Sequence, residues 1–246
     1  QNSFKQVWLE FDHLQGAYTL PGMFFTVKPE ATRECLITAL QELRAMLPAI
    51  RKSGVGWREL EQLIQQSGSA LDTTHIGFML SRPDSGIRVV RQLTTIEAIP
   101  SHVENEDLIN SAKRIHQLAR EVLPSFSDFH WCQDLGGNNV GTASIECFFP
   151  KADQLQPTRE ILNWLHANDL STRCERDVME AWPAILTPET LNQDWPQSLI
   201  FESLSRSEDI FSVIECKLGH IKLTAPANKA VTAKVYFGYL NRWLSP

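Results

Sequence analysis

The sequence predicts an α+β protein: antiparallel sheet with helices packed on one face, in two loosely duplicated halves. Three observations predict it. Short runs rich in aromatic and β-branched residues are bounded by turn formers. Longer segments repeat apolar residues every three to four positions. After Pro124 the order of elements begins again. Each half then reads strand, strand, helix, helix, strand, strand, over 1–123 and 124–246, the two expected to pack as one compact unit.

Residues 7–12 (VWLEFD) and 22–28 (GMFFTVK) read as strands. Leu36, Leu40, Leu43 and Leu47 form one stripe and predict a helix over 30–47. Pro48 and SGVG end it, and a shorter helix is expected at 57–66 with Trp57, Leu60 and Ile64 on one side. HIGFMLS (75–81) and GIRVVRQL (86–93) flank RPDSG, whose residues favour a turn, and so predict a hairpin. The segment 107–123 carries Leu108, Ile109, Ala112, Ile115, Ala119 and Val122 at helical spacing, and the acidic run ENED at 104–107 suits its positive N-terminal end.

In the second half, DFHWCQDL and TASIECFF read as strands joined by GGNNVG. Helices are expected at 157–167 and 172–182, the latter opened by Thr172 and Glu175 at capping-box spacing. SLIFESLS (198–205), FSVIECKL (211–218), HIKLTA (220–225) and AKVYFGYL (233–240) read as extended. Asp12 precedes Phe24–Phe25 much as Asp134 precedes Phe148–Phe149, which adds to the impression of duplication.

With 43% apolar and 21% charged residues over 246 positions, a core forms without disulfides or metal. A net charge of −6 and a pI near 5.7 argue against nucleic-acid binding, which needs a positive surplus on one face. No apolar run approaches the ~18 residues of a membrane span, and QNSFKQVWLEF has neither the basic nor the apolar region of a secretory signal. Cys35, Cys132, Cys147, Cys174 and Cys216 form no CxxC pair and mostly sit among apolar neighbours. They read as buried thiols of a reducing compartment, so a cytoplasmic protein is expected, without membrane or nucleic-acid partner.

No phosphate-loop, GxGxxG, GxSxG or HExxH pattern is present. Chemistry would have to come from scattered strand residues. On DFHWCQD, alternation sets Asp128, His130, Cys132 and Asp134 on one face, which makes His130 and Asp134 the candidate acid–base groups. Successive residues of that face lie about 6.5 to 7 Å apart, too wide for several to ligate one ion. No metal and no cofactor is expected. The bland alternative is the wetter side of a sheet.

Arg88 and Arg91 face opposite ways on their strand. His220 and Lys222 share a face, as do Lys234 and Tyr236, so aligned strands bring Lys222, Lys234 and Tyr236 together as a possible phosphate or carboxylate site, with Arg88 a further ligand-binding candidate. Lysines on a sheet also serve simply to keep an edge soluble. Of seven tryptophans, Trp195 lies in the polar stretch NQDWPQS and is the interaction candidate.

The phrase AKVYF is similar to the Lys-x-Tyr strand pattern of aromatic prenyltransferases of the ABBA type. Those are antiparallel barrels whose inward Lys, Arg and Tyr hold an isoprenoid diphosphate. The resemblance covers five residues. It implies a transferase acting on a phosphorylated donor, with His130 or Asp134 as base. The leading expectation is instead a non-catalytic or accessory binding protein, receiving a peptide or small molecule in a cleft or on a sheet edge between the halves. The sequence leaves catalysis undecided and homo-oligomerisation open.

Overall fold

Alternation of apolar and polar residues along four consecutive strands sets the architecture. A computed structural model describes residues 3–10, 13–14, 17–18, 20–46, 56–66, 73–80, 86–93, 106–136, 142–149, 155–191, 194–206, 210–226 and 229–244. The elements run β1 (Phe4–Glu10), β2 (His13–Leu14), β3 (Ala17–Tyr18), β4 (Gly22–Val27), α1 (Arg33–Met46), α2 (Trp57–Gln66), β5 (Thr73–Met79), β6 (Ile87–Leu93) and α3 (Glu106–Ala119). There follow a 3-10 turn (Leu123–Ser125), β7 (Asp128–Leu135), β8 (Ala143–Phe148), α4 (Leu155–Ala167), α5 (Arg173–Ala181), β9 (Ala184–Leu186), α6 (Gln197–Arg206), β10 (Phe211–Ala225) and β11 (Thr232–Leu244).

The fold is α+β, with a nine-stranded antiparallel sheet in the order β1-β4-β5-β6-β7-β8-β10-β11 and β9 paired to β10. β2 and β3 pair separately. The chain divides into two compact units. The first comprises Gln1–Arg120, Asp128–Glu146 and Leu223–Thr232; the second comprises Glu121–Ser127, Cys147–Lys222 and Ala233–Pro246.

In the first unit, Phe25 and Val27 of β4, Ile76 and Phe78 of β5 and Ile87 and Val89 of β6 fall on one side and are buried. The leucine stripe of α1 (Leu36, Leu40) and the Trp57, Leu60, Leu63 and Ile64 side of α2 pack into the same cluster. Trp57 stacks on Phe78 at 5.4 Å, and Phe25 meets Phe78 edge-on at 5.9 Å. Gly56, at φ 98°, starts α2 so close to the Leu135 carbonyl that a side chain there would collide with it. Gly77 of β5 lies directly opposite Phe24 of β4, whose ring covers it.

In the second unit, Ile161, Leu162, Trp164 and Leu165 of α4 and Met179 of α5 are buried, as are Val213, Cys216, Leu218 and Ile221 of β10. α4 ends in a Schellman arrangement: Asp169 takes a left-handed φ of 56°, and the Leu170 N–H reaches the Leu165 carbonyl at 2.9 Å. The Thr172–Glu175 capping box then opens α5 as its spacing predicts, with the Thr172 N–H 2.7 Å from Glu175 Oε2 and the Glu175 N–H 3.2 Å from Thr172 Oγ1.

One expected element is corrected. The segment 198–205 is helical, not extended, and lies within α6. Eight residues of SLIFESLS satisfy either period. The decision falls to local terms: the Pro196 carbonyl accepts from the Leu199 and Ile200 N–H groups, and Arg206 Nη2 pairs with Glu202 Oε1 at 2.6 Å, one turn apart. β9 and α6 thus stand between the helix pair α4–α5 and the last two strands. Segments 211–218 and 220–225 also form one strand, since Gly219 does not interrupt β10. The turns at 82–85 and 137–141, Asp12, Leu47, Pro48, residues 53–55 of SGVG and residues 104–105 of ENED lie outside the described residues.

Gly77→Ala is expected to lower stability by about 1 to 3 kcal/mol in urea unfolding, because the new methyl group must displace the Phe24 ring. An unchanged midpoint would contradict the ring's position over the glycine.

Candidate functional site

Opposite its core, the first unit presents the alternate residues of the same strands. Thr26 pairs in register with His75, His75 with Val90, and Val90 with Cys132. Gln92 pairs with His130 and Arg88 with Asp134. Asp128, His130, Cys132 and Asp134 therefore share this face, as alternation requires.

A polar chain runs along it. Trp8 Nε1 donates to Thr26 Oγ1 at 3.2 Å, and that oxygen lies 3.1 Å from His75 Nδ1. The His75 and His130 rings are 6.4 Å apart. His130 Nε2 sits 3.7 Å from Asp128 Oδ2, and Gln92 Nε2 donates to both Asp128 carboxylate oxygens, at 3.3 and 3.2 Å. Burial lowers the pKa of both histidines. His130 lowers that of His75 further, while Glu146 opposes the shift at both and Asp128 opposes it at His130. Both imidazoles are thereby held neutral near pH 7.

Arg88 and Asp134 form a fork on the same face, with Nε to Oδ1 at 2.8 Å and Nη2 to Oδ2 at 3.0 Å. Burial works against the guanidinium charge, but the Asp134 hydrogen bonds and charge outweigh it and raise the Arg88 pKa. Two of the Arg88 donors and both Asp134 oxygens are thus committed to each other. Arg91, in register with Trp131, is fully buried and faces the other way. Among the described residues, no group of three or more His, Cys, Asp or Glu side chains is placed to hold a metal ion. None of the helices described is long and apolar enough to cross a membrane.

In the second unit, three rings from neighbouring strands form a row. Phe148 of β8 lies 4.9 Å from His220 of β10, which stacks on Tyr236 of β11 at 4.2 Å with 16° between planes. Since β10 and β11 are antiparallel neighbours, the contact between His220 and Tyr236 carries Lys222 and Lys234 onto the same face. Lys222 is only 6% exposed, whereas Lys234 is exposed. Trp195 is 7% exposed and donates from Nε1 to Ser212 Oγ at 3.0 Å, so its ring is packed.

β11 ends the sheet order. Along it Tyr236, Phe237, Tyr239, Leu240 and Leu244 are exposed, Tyr239 at 78%. Trp182 meets Phe237 edge-on at 5.0 Å, and Arg206 of α6 lies 4.3 Å above the Trp243 ring. Arg242 Nε pairs with Glu215 Oε2 at 2.6 Å. Beside this strand α6 exposes Ile200, Phe201 and Leu204, the last at 79%.

The sequence nominated Lys222, Lys234 and Tyr236 together, and these share one unit. Arg88, His130 and Asp134 belong to the other. The sequence missed the roles of His75, Thr26 and Trp8, and of Phe148 as the end of the ring row. Their strands were legible, but which residues stand opposite one another follows from register, which single strands do not carry.

The histidine pair makes stability depend on pH. Because both folded-state pKa values lie below the ordinary 6.5, the unfolded chain takes up more protons as pH falls through that value. The contribution is complete above pH 6.5 and is lost below it. Melting temperature is expected to fall between pH 7.5 and 5.5, and His75→Gln with His130→Gln to flatten that fall. An equal fall in the double variant would contradict the assignment.

Comparison with family models, with curated proteins and with solved structures finds no match, so the function rests on the chemistry of these two surfaces.

Proposed function

We propose that this chain is a binding protein that takes an extended segment of a partner polypeptide along the free edge of β11. The observation that carries this reading is a 13-residue strand at the end of the sheet order with exposed apolar side chains along its length. An edge strand presents a row of backbone donors and acceptors that a peptide satisfies by becoming the next strand. Exposed Tyr239 and Leu240, with Phe201 and Leu204 of α6 nearby in the same unit, supply apolar area for its side chains.

The other edge is a poorer template. β1 has 7 residues and a register irregularity between Phe4 and Gln6, a common way to spoil an edge. β11 contains no proline and no acidic residue. Lys234 and Arg242 are its charges, and Arg242 is already paired with Glu215. The partner segment is therefore one whose apolar residues alternate with polar or acidic ones. The alternative of a transferase gripping a phosphorylated donor draws less support, since two Arg88 donors are taken by Asp134 and Lys222 is buried.

The test uses a displayed library of ten-residue peptides with alternating apolar and polar positions, followed by affinity measurement. Adjacent N–H groups on β11 point alternately inward and outward. Of Tyr239→Pro and Leu240→Pro, one therefore removes an outward donor and keeps its melting temperature. That variant is expected to bind selected peptides at least about tenfold more weakly, the scale of a lost backbone pairing. Absence of enrichment, or unaltered binding by the thermally intact variant, would overturn the proposal.

A further inference from the structure

The two ends of the sheet order complement each other. Among the described strands, β1 and β11 each have a neighbour on one side only. β1 exposes Val7, Trp8 and Leu9 at 53, 57 and 53%. These residues belong to its regular part, because the irregularity of β1 ends at Gln6 and pairing with β4 then runs unbroken to Glu10. Between Gln6 and Glu10 there is no proline, and Glu10 is the one charge. An exposed apolar run of this kind on an edge is a template for pairing with another chain.

This stretch reads well against β11 in the antiparallel sense, which continues the hydrogen-bonding pattern of the sheet. With Trp8 opposite Tyr236, Glu10 falls opposite Lys234, Leu9 opposite Val235, Val7 opposite Phe237 and Gln6 opposite Gly238. Residues directly opposite share a face, and aromatic, apolar and unlike-charge pairs each stabilise a strand pair. One face then holds an aromatic pair beside an ion pair, and the other holds two apolar pairs. Trp8 stands beside Tyr236 across the strands, so Tyr236 keeps its stack on His220. Two β11 strands facing each other offer Lys234 no carboxylate, since β11 has no acidic residue.

Resting on the strand-addition reading, we propose that the strand received by β11 is β1 of a second copy of this chain. Copies then associate head to tail through unlike edges, and such contacts repeat into a ring or a filament. A contact of this length lies at the small end of interface sizes, so the dilute chain keeps β11 open.

The experiment is sedimentation velocity over a range of concentrations for the native chain, Lys234→Glu, Glu10→Lys and an equimolar mixture of the two variants. The native chain is expected to associate as concentration rises. Each variant alone should associate about fivefold more weakly, because like charges then stand opposite each other. The Glu10 charge also acts on Arg88, so the mixture is the decisive sample. There each substituted edge meets the oppositely charged substituted edge, and association should return to native strength. A fold defect in either chain is not repaired by mixing. A chain that stays monomeric at every concentration would overturn the proposal, as would variants that mixing does not restore. Association that neither substitution alters would place the contact elsewhere and overturn it too. If displayed peptides are still enriched on β11 in any of those cases, strand addition stands and only the choice of occupant falls. If β11 enriches no peptide either, both fall.

Discussion

A backbone N–H or C=O needs a partner, and the last strand of an open sheet has partners on one side only. That constraint governs what the rest of this molecule has to manage. At the β1 end it is met by a short strand with a register irregularity. At the β11 end the strand is long, carries exposed aromatic and aliphatic side chains, and adjoins a helix whose apolar residues also face solvent. Lys234 gives modest protection against indiscriminate pairing, as a charge on an edge does.

The two units use their polar residues differently. In the first, the side of the sheet away from α1 and α2 is held together by paired groups: the Arg88–Asp134 fork, the Trp8–Thr26–His75 chain, and Gln92 on Asp128. Partly buried charges remain tolerable there because each has a geometrically matched partner. Chemistry at His130 or Asp134 would have to compete with those commitments. In the second unit the informative groups sit toward the edge, in the row of rings formed by Phe148, His220 and Tyr236.

The sequence made the α+β class legible, along with strands β4 to β8, the helix pair α1–α2 and the capping box of α5. In each case the apolar period or the turn chemistry was unambiguous over enough residues. It misread α6 because eight residues with apolar groups at 199, 200, 201 and 204 suit two periods, and the Pro196 and Arg206 contacts that decide between them are specific to the folded chain. Lys222, Lys234 and Tyr236 were found by alternation alone, but the row through Phe148 needed the order of strands. Trp195 was singled out because its sequence neighbours are polar; its ring is packed and its N–H donates to Ser212 Oγ, contacts that the local sequence does not carry.

The central claim is that β11 is an open edge in the free protein. Amide hydrogen exchange, resolved residue by residue along Thr232–Leu244, addresses it without any ligand. The account predicts alternation, with every second amide protected by β10 and those between exchanging at rates near those of exposed backbone. Uniform slow exchange along the whole strand would mean that the edge is already covered, and would contradict it.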